Sequence, residues 1–149
     1  ASDTRHEYAA DGFYRIALSM PGRRVDGSDT GSDTAFGAFF ALDDEDGAAF
    51  GGSSLAEVAI GGAGDDSLDG KGNEDEIHGG SGDDVLSGGG ASDMLFGGQG
   101  QDLLRGGTGS DFMRGGLGDD TLMGGGDGDF IDGGAGEDLV QGGAGGDEL

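Results

Sequence analysis

No cysteine occurs in the 149 residues of this chain, so disulfides are excluded, as is thiolate chemistry on a substrate or a metal. Tryptophan is absent, and the one proline is Pro21. Lys and Arg together number 7, too few for a surface that neutralises phosphates, and nucleic acid is excluded as a partner. The two histidines are His6 and His78. A helical zinc site needs a second imidazole four residues after the first, but His6-Glu7 is followed by Tyr8, Ala9 and Ala10. Gly70-Lys71 lacks the rest of a P-loop, and no serine is framed as G-x-S-x-G. The acidic run at residues 43–47 has Leu42 where an EF-hand places its first carboxylate, and it reads as a solvated turn. No apolar run reaches transmembrane length, and no basic segment leads into an apolar one as in a signal peptide. The sequence offers no enzyme site.

Glycine and acid are what the chain has in excess. It carries 39 Gly against 33% hydrophobic residues, which leaves too little apolar surface for a large conventional core. Its 31 Asp and Glu give a formal net charge of −24. Both excesses follow one period. From Gly61 onward the chain divides into nines: GGAGDDSLD, GKGNEDEIH, GGSGDDVLS, GGGASDMLF, GGQGQDLLR, GGTGSDFMR, GGLGDDTLM, GGGDGDFID, GGAGEDLVQ and a last GGAGGDEL. Position one is always Gly. Position six is always Asp: Asp66, Asp75, Asp84, Asp93, Asp102, Asp111, Asp120, Asp129, Asp138 and Asp147. Position eight is always apolar: Leu68, Ile77, Leu86, Leu95, Leu104, Met113, Leu122, Ile131, Val140 and Leu149.

Glycines at positions one, two and usually four supply backbone that takes positive φ and approaches a ligand closely. A turn so built aims carbonyl oxygens inward, and carbonyl with carboxylate oxygens suits a hard cation such as calcium. Positions seven to nine predict a short strand, with position eight facing one way and its neighbours the other. Two nonapeptides then make one coil, whose position-eight side chains fill a core one side chain deep. Unit n stacks on unit n+2 at the ~4.8 Å spacing of paired strands, leaving a slot between their turns. An acidic glycine-rich linker is the competing reading, and it has no reason to keep position eight apolar.

The repeated G-G-x-G-x-D-x-U-x pattern resembles the RTX (repeat-in-toxin) calcium-binding nonapeptide family. The resemblance implies an all-β fold, a calcium-bound parallel β-roll solenoid. It implies one calcium in each slot, about eight ions for the ten units. Their ligands would be the position-six aspartates and carbonyls near positions one, two and four. Those carbonyls fall at Gly61, Gly62 and Gly64; Gly79, Gly80 and Gly82; Gly97, Gly98 and Gly100; Gly106, Gly107 and Gly109; Gly115, Gly116 and Gly118; and Gly133, Gly134 and Gly136. Eight divalent ions would add about +16 and leave a net charge of roughly −8. The family further implies type I secretion from a Gram-negative bacterium and an extracellular or cell-surface location, with a polyanion that is unfolded in low calcium and folds outside the cell. Two non-catalytic functions follow: a structural, adhesive or assembly module, or the folding and secretion module of a larger exported enzyme or toxin. The start at Ala1 rather than Met suggests a processed product. The stop at Leu149, inside a unit and without the family's secretion signal, points to a fragment or to an end that meets a partner.

Ahead of the roll, residues 13–20 (FYRIALSM), 35–42 (AFGAFFAL) and 53–60 (SSLAEVAI) each predict a strand. Together they predict a small antiparallel N-terminal β cap over residues 1–60, joined directly to the roll at 61–149. Four residues break the glycine pattern: Lys71 at position two, and Asn73, Ala91 and Asp127 at position four. Lys71 and Ala91 fall in the slot shared by Asp75 and Asp93, which is expected to be the weakest. Outward position seven carries Met94, Phe112 and Phe130 in one column, with Phe96 beside them, and Val85, Leu103 and Leu139 on the other sheet. A contiguous apolar stripe on a soluble surface predicts a contact, here with a cap strand carrying Phe36 and Phe40 or with a neighbouring copy or domain.

Overall fold

A computed structural model of the chain describes residues 38–41, 47, 49–52 and 54–149. The nine-residue period produces strands at the same spacing. β1 (Ala38–Ala41), β2 (Ala49–Gly51), β3 (Glu57–Ala63) and β4 (Ser67–Asp69) come first. Strands of six residues follow: β5 (Glu76–Ser81), β6 (Val85–Gly90), β7 (Met94–Gln99), β8 (Leu103–Thr108), β9 (Phe112–Leu117), β10 (Thr121–Gly126), β11 (Phe130–Ala135) and β12 (Leu139–Ala144). Odd-numbered strands form one parallel sheet in the order β1-β3-β5-β7-β9-β11, and even-numbered strands form the other in the order β12-β10-β8-β6-β4-β2. The chain changes sheet at every turn and closes a coil every two units, so that Leu86 pairs with Leu104 and Ile77 with Leu95. The fold is an all-β parallel solenoid.

Position eight builds the core, as the alternation predicts. Leu68, Ile77, Leu86, Leu95, Leu104, Met113, Leu122 and Ile131 are each no more than 2% exposed and form one cluster between the two sheets. Burying a side chain of this size contributes about 1.5–3 kcal/mol, and among the described residues no second layer lies behind this one to add more. Val140 packs against the cluster at its margin, while Leu149, on the outermost coil, remains 71% exposed.

The strands are longer than positions seven to nine. Pairing resumes through positions two and three of the next unit, as in Gly89 with Gly107 and Gly90 with Thr108, but skips position one. β4 alone among the strands of the repeat region stops at position nine, just before the unit in which Lys71 holds position two at φ 74°.

Where residues 38–60 are described, their strands pair parallel and not antiparallel as expected for the cap; residues 1–37 lie outside the described residues. β1 pairs with β3 and β2 with β4 in parallel, extending the same two sheets. The reason lies in a degenerate unit hidden at residues 52–60. Gly52 precedes Gly61 by one period, Glu57 stands at position six and Ala59, 1% exposed, at position eight. One period earlier Phe50 packs against the core from position eight of β2. Alternation shows that a segment is a strand, but its pairing direction depends on the neighbour it meets. β1 sits one residue out of step: Phe40 pairs with Ala59, 19 residues on, whereas later partners are 18 apart. The strand expected at residues 13–20 lies outside the described residues, as do Phe36 and Leu42.

Candidate metal sites

From Asp75 to Asp129, each position-six aspartate uses its two carboxylate oxygens differently. Oδ1 accepts a hydrogen bond from the backbone N–H of the position-six residue one coil earlier. Asp66 donates to Asp84 at 2.8 Å, Asp84 to Asp102 at 2.9 Å and Asp102 to Asp120 at 2.8 Å on one edge of the solenoid. On the other edge Asp75 donates to Asp93, and Asp93 to Asp111, both at 2.8 Å. These bonds fix the carboxylates in two columns, one on each edge. Oδ2 of Asp75, Asp84, Asp93, Asp102, Asp111, Asp120 and Asp129 is fully buried and has no hydrogen-bond partner. Buried polar atoms are nearly always paired, so a periodic series of unpaired carboxylate oxygens requires an explanation.

The glycines show what those oxygens face. A Cβ on Gly79 would overlap Asp84 Oδ2 and lie 2.7 Å from the Gly97 carbonyl oxygen, which belongs to the next coil. The same two kinds of oxygen meet beside Gly61, Gly97, Gly106, Gly115 and Gly124. Carbonyls at positions two and four point the other way along the stack, since Cβ atoms on Gly98 and Gly100 would overlap the Gly80 and Gly82 oxygens. Each interface between stacked turns is therefore lined with oxygen from both coils. Among the described residues no three His, Cys, Asp or Glu side chains converge as a metal cluster. Any ion held here draws most of its ligands from main-chain carbonyls, a hard, oxygen-only environment suited to calcium rather than to a transition metal.

Burial raises these carboxyls in the metal-free chain. Asp75, Asp84, Asp102 and Asp111 rise to about 6 and Asp93 to about 7, and Asp120 and Asp129 rise as well. Lost hydration is the main cause; the donated N–H opposes it, and the negative charge of neighbouring acids reinforces it.

The sequence placed the aspartates and glycines at equivalent positions of the turns, and the structure brings them together as stacked columns. Gly70 and Gly124 have the same geometry toward Asp75 and Asp129 and were not among the expected carbonyls, although their place in the repeat marks them. At Gly133 the three atoms nearest an added Cβ all belong to Asp138, and at Gly88 they all belong to Asp93. Lys71, Asn73, Ala91 and Asp127 all adopt positive φ, between 72° and 83°, as a left-handed turn position demands of any residue placed there. The Lys71 ammonium turns back along the stack. Its Nζ lies 3.9 Å from where Gly51 would carry a Cβ, one coil back, while the Lys71 carbonyl oxygen points at Gly89 like the position-two glycines around it.

The chain matches the RTX calcium-binding nonapeptide repeat over residues 51–86, 69–104, 87–122, 96–131 and 114–149. Searches of curated proteins and of solved structures gave no match. The first matched residue, Gly51, precedes the degenerate unit, in agreement with the parallel pairing there. RTX repeats are a calcium-binding structural unit, and the ladder of aspartates along the turns is consistent with such sites. On a match that runs from residue 51 to residue 149, this chain belongs to the RTX calcium-binding nonapeptide repeat family.

Proposed function

We propose that the chain is a calcium-operated structural module of a secreted protein, folding outside the cell and serving adhesion or assembly rather than catalysis. The observation that carries the reading is the column of buried, unpaired Oδ2 atoms, each directed at the position-one glycine of its own turn. The residues that would hold calcium are the position-six aspartates, with carbonyls of positions one, two and four on stacked turns, about eight ions in all. Bound calcium supplies positive charge and wants six to eight oxygens, which carboxylate–carbonyl slots can satisfy without thiolate or imidazole. The aspartates hold the coils in register through Oδ1 and would offer Oδ2 as a ligand to the ion. The glycines keep the interface open, since any Cβ there would occupy the space.

Calorimetric titration of the metal-free chain tests this. Uptake of about eight calcium ions is expected, with magnesium a poor substitute because it demands tight octahedral geometry and sheds water reluctantly. No uptake in millimolar calcium would overturn the reading. A second expectation follows from shared ligation. Asp102 touches the interface with the preceding coil through Oδ1 and the following one through Oδ2, whereas Asp147 lies on the last described coil. Asp102→Ala should thus lower calcium stoichiometry more than Asp147→Ala, and equal losses would argue against ligands shared between slots.

A further inference from the structure

A groove of about 840 Å³ runs the length of the solenoid beside one edge, between positions five and seven of alternate units. It exists because the two edges differ at position five. One edge carries Asp65, Asp83, Gln101, Asp119 and Glu137 there, while the grooved edge carries the small residues Ala56, Ser92, Ser110 and Gly128 over most of its length. Its outer wall reads Val58, Glu76, Met94, Phe112, Phe130, Glu148, an apolar run flanked by two acids with Val58 beyond the first of them. Met94 is 44% and Phe130 39% exposed, so the stripe expected to make a contact is open along the wall. β1 does not cover it, because β1 pairs beside β3 at the far margin of this sheet. Phe112 and Phe130 stack at 5.1 Å with planes 3° apart, and His78 stacks on Phe96 at 4.7 Å. Rings that cover each other's faces turn their edges outward, which disfavours a sugar and favours a polypeptide with aliphatic side chains.

We propose that this groove is the docking site for residues 13–24 of the same chain. That segment, FYRIALSMPGRR, lies within the longest acid-free stretch of a chain whose formal net charge is −24. It has the complementary pattern: Arg15 at one end, then Ile16, Leu18 and Met20 alternating, then Arg23 and Arg24. Arg15 and Arg23 answer Glu76 and Glu148, and the aliphatic residues answer Met94, Phe112 and Phe130. Lengths agree as well. Four strand steps of ~4.8 Å separate Glu76 from Glu148, ~19 Å in all. Eight residue steps from Arg15 to Arg23 extend to at most ~26 Å, shortened by Pro21-Gly22. Arg24 precedes the start of β1 by fourteen residues, a reach of up to ~46 Å. Asp75, Asp93, Asp111 and Asp129 of the position-six column also line the groove, so the docked segment lies beside the residues proposed to hold calcium, and the docking is therefore tested on the calcium-loaded roll.

The absence of cysteine makes a single label unambiguous. A nitroxide on Leu18→Cys, in the calcium-loaded full chain, should erase the NMR signals of Met94, Phe112 and Phe130 and spare Val85 and Leu139 on the other sheet. Adding Arg15→Glu and Arg23→Glu should restore the signals. Further adding Glu76→Lys and Glu148→Lys should erase them again. Circular dichroism of each calcium-loaded variant checks that the roll itself is intact, so a failure of docking is distinguishable from a failure to fold. Unaffected signals, equal losses on both sheets, or losses seen only when labelled and isotope-enriched copies are mixed would each overturn the assignment.

Discussion

Chelating calcium should convert the solenoid wholly to coil, and adding it back should restore β structure in one cooperative step. The reason is the balance between a thin core and two columns of stacked charge. Among the described residues, the buried position-eight side chains form one thin cluster with no second layer behind it. The position-six carboxylates stack at strand spacing, held in line by the Oδ1 bonds between coils. Two unit charges ~4.8 Å apart repel by roughly 3 kcal/mol at an effective dielectric of 20. A few such pairs already match the roughly 5–15 kcal/mol that stabilises an ordinary domain. Each coil shares its interfaces with both neighbours, so loss of one ion weakens the next site, and the transition is expected to be steep. Far-ultraviolet circular dichroism during a calcium titration checks this. A fully formed roll in excess chelator would sink the argument.

Acid should do part of what calcium does. The unfolded chain titrates its aspartates near 3.8, whereas in the folded, metal-free chain Asp84, Asp102 and Asp111 titrate at about 6 and Asp93 at about 7. The folded state therefore holds more protons than the unfolded state between those limits, and its stability falls as pH rises through the window. Each such carboxyl favours folding fully below about 3.8 and loses that contribution as pH passes 6 to 7. Chelated chain that is coil near neutrality should regain β signal as pH is lowered toward about 5, within this window. With calcium present the sign reverses, because the ligands must be deprotonated: the calcium midpoint should rise on acidification, and binding should release protons. Titrations in two buffers of different ionisation enthalpy measure that release. Asp111→Asn mimics the protonated state and keeps the Oδ1 acceptor. It should make the chelated chain easier to fold while lowering calcium uptake. A chelated chain as unfolded at pH 5 as at neutrality would show that the aspartate columns are not the barrier.

Both results rest on features that were readable before any coordinates, and the docking groove rests on features that were not. Strict recurrence of Gly at one, Asp at six and an apolar residue at eight specified a two-unit coil, the core row and the acidic columns. A residue's place in a strict period dictates which way it faces and which residue lies above it. The positive φ of Ala91 and Asp127 was legible for the same reason. Direction and partnership were not. Whether residues 38–60 pair parallel or antiparallel depended on the strand beside them, and Glu57 and Ala59 concealed a repeat that only the register of β3 against β5 exposes. The division of labour between Oδ1 and Oδ2 arose from a hydrogen bond to a residue one full coil away. The Lys71 side chain turned back toward Gly51, a choice its position in the repeat does not dictate. The groove needed both edges in view, because it is the contrast between small residues at Ser92 and Ser110 and acids at Asp83 and Asp119 that opens one side alone. Periodicity determines what is stacked on what; only the folded chain decides which atoms of a stacked pair meet and which do not.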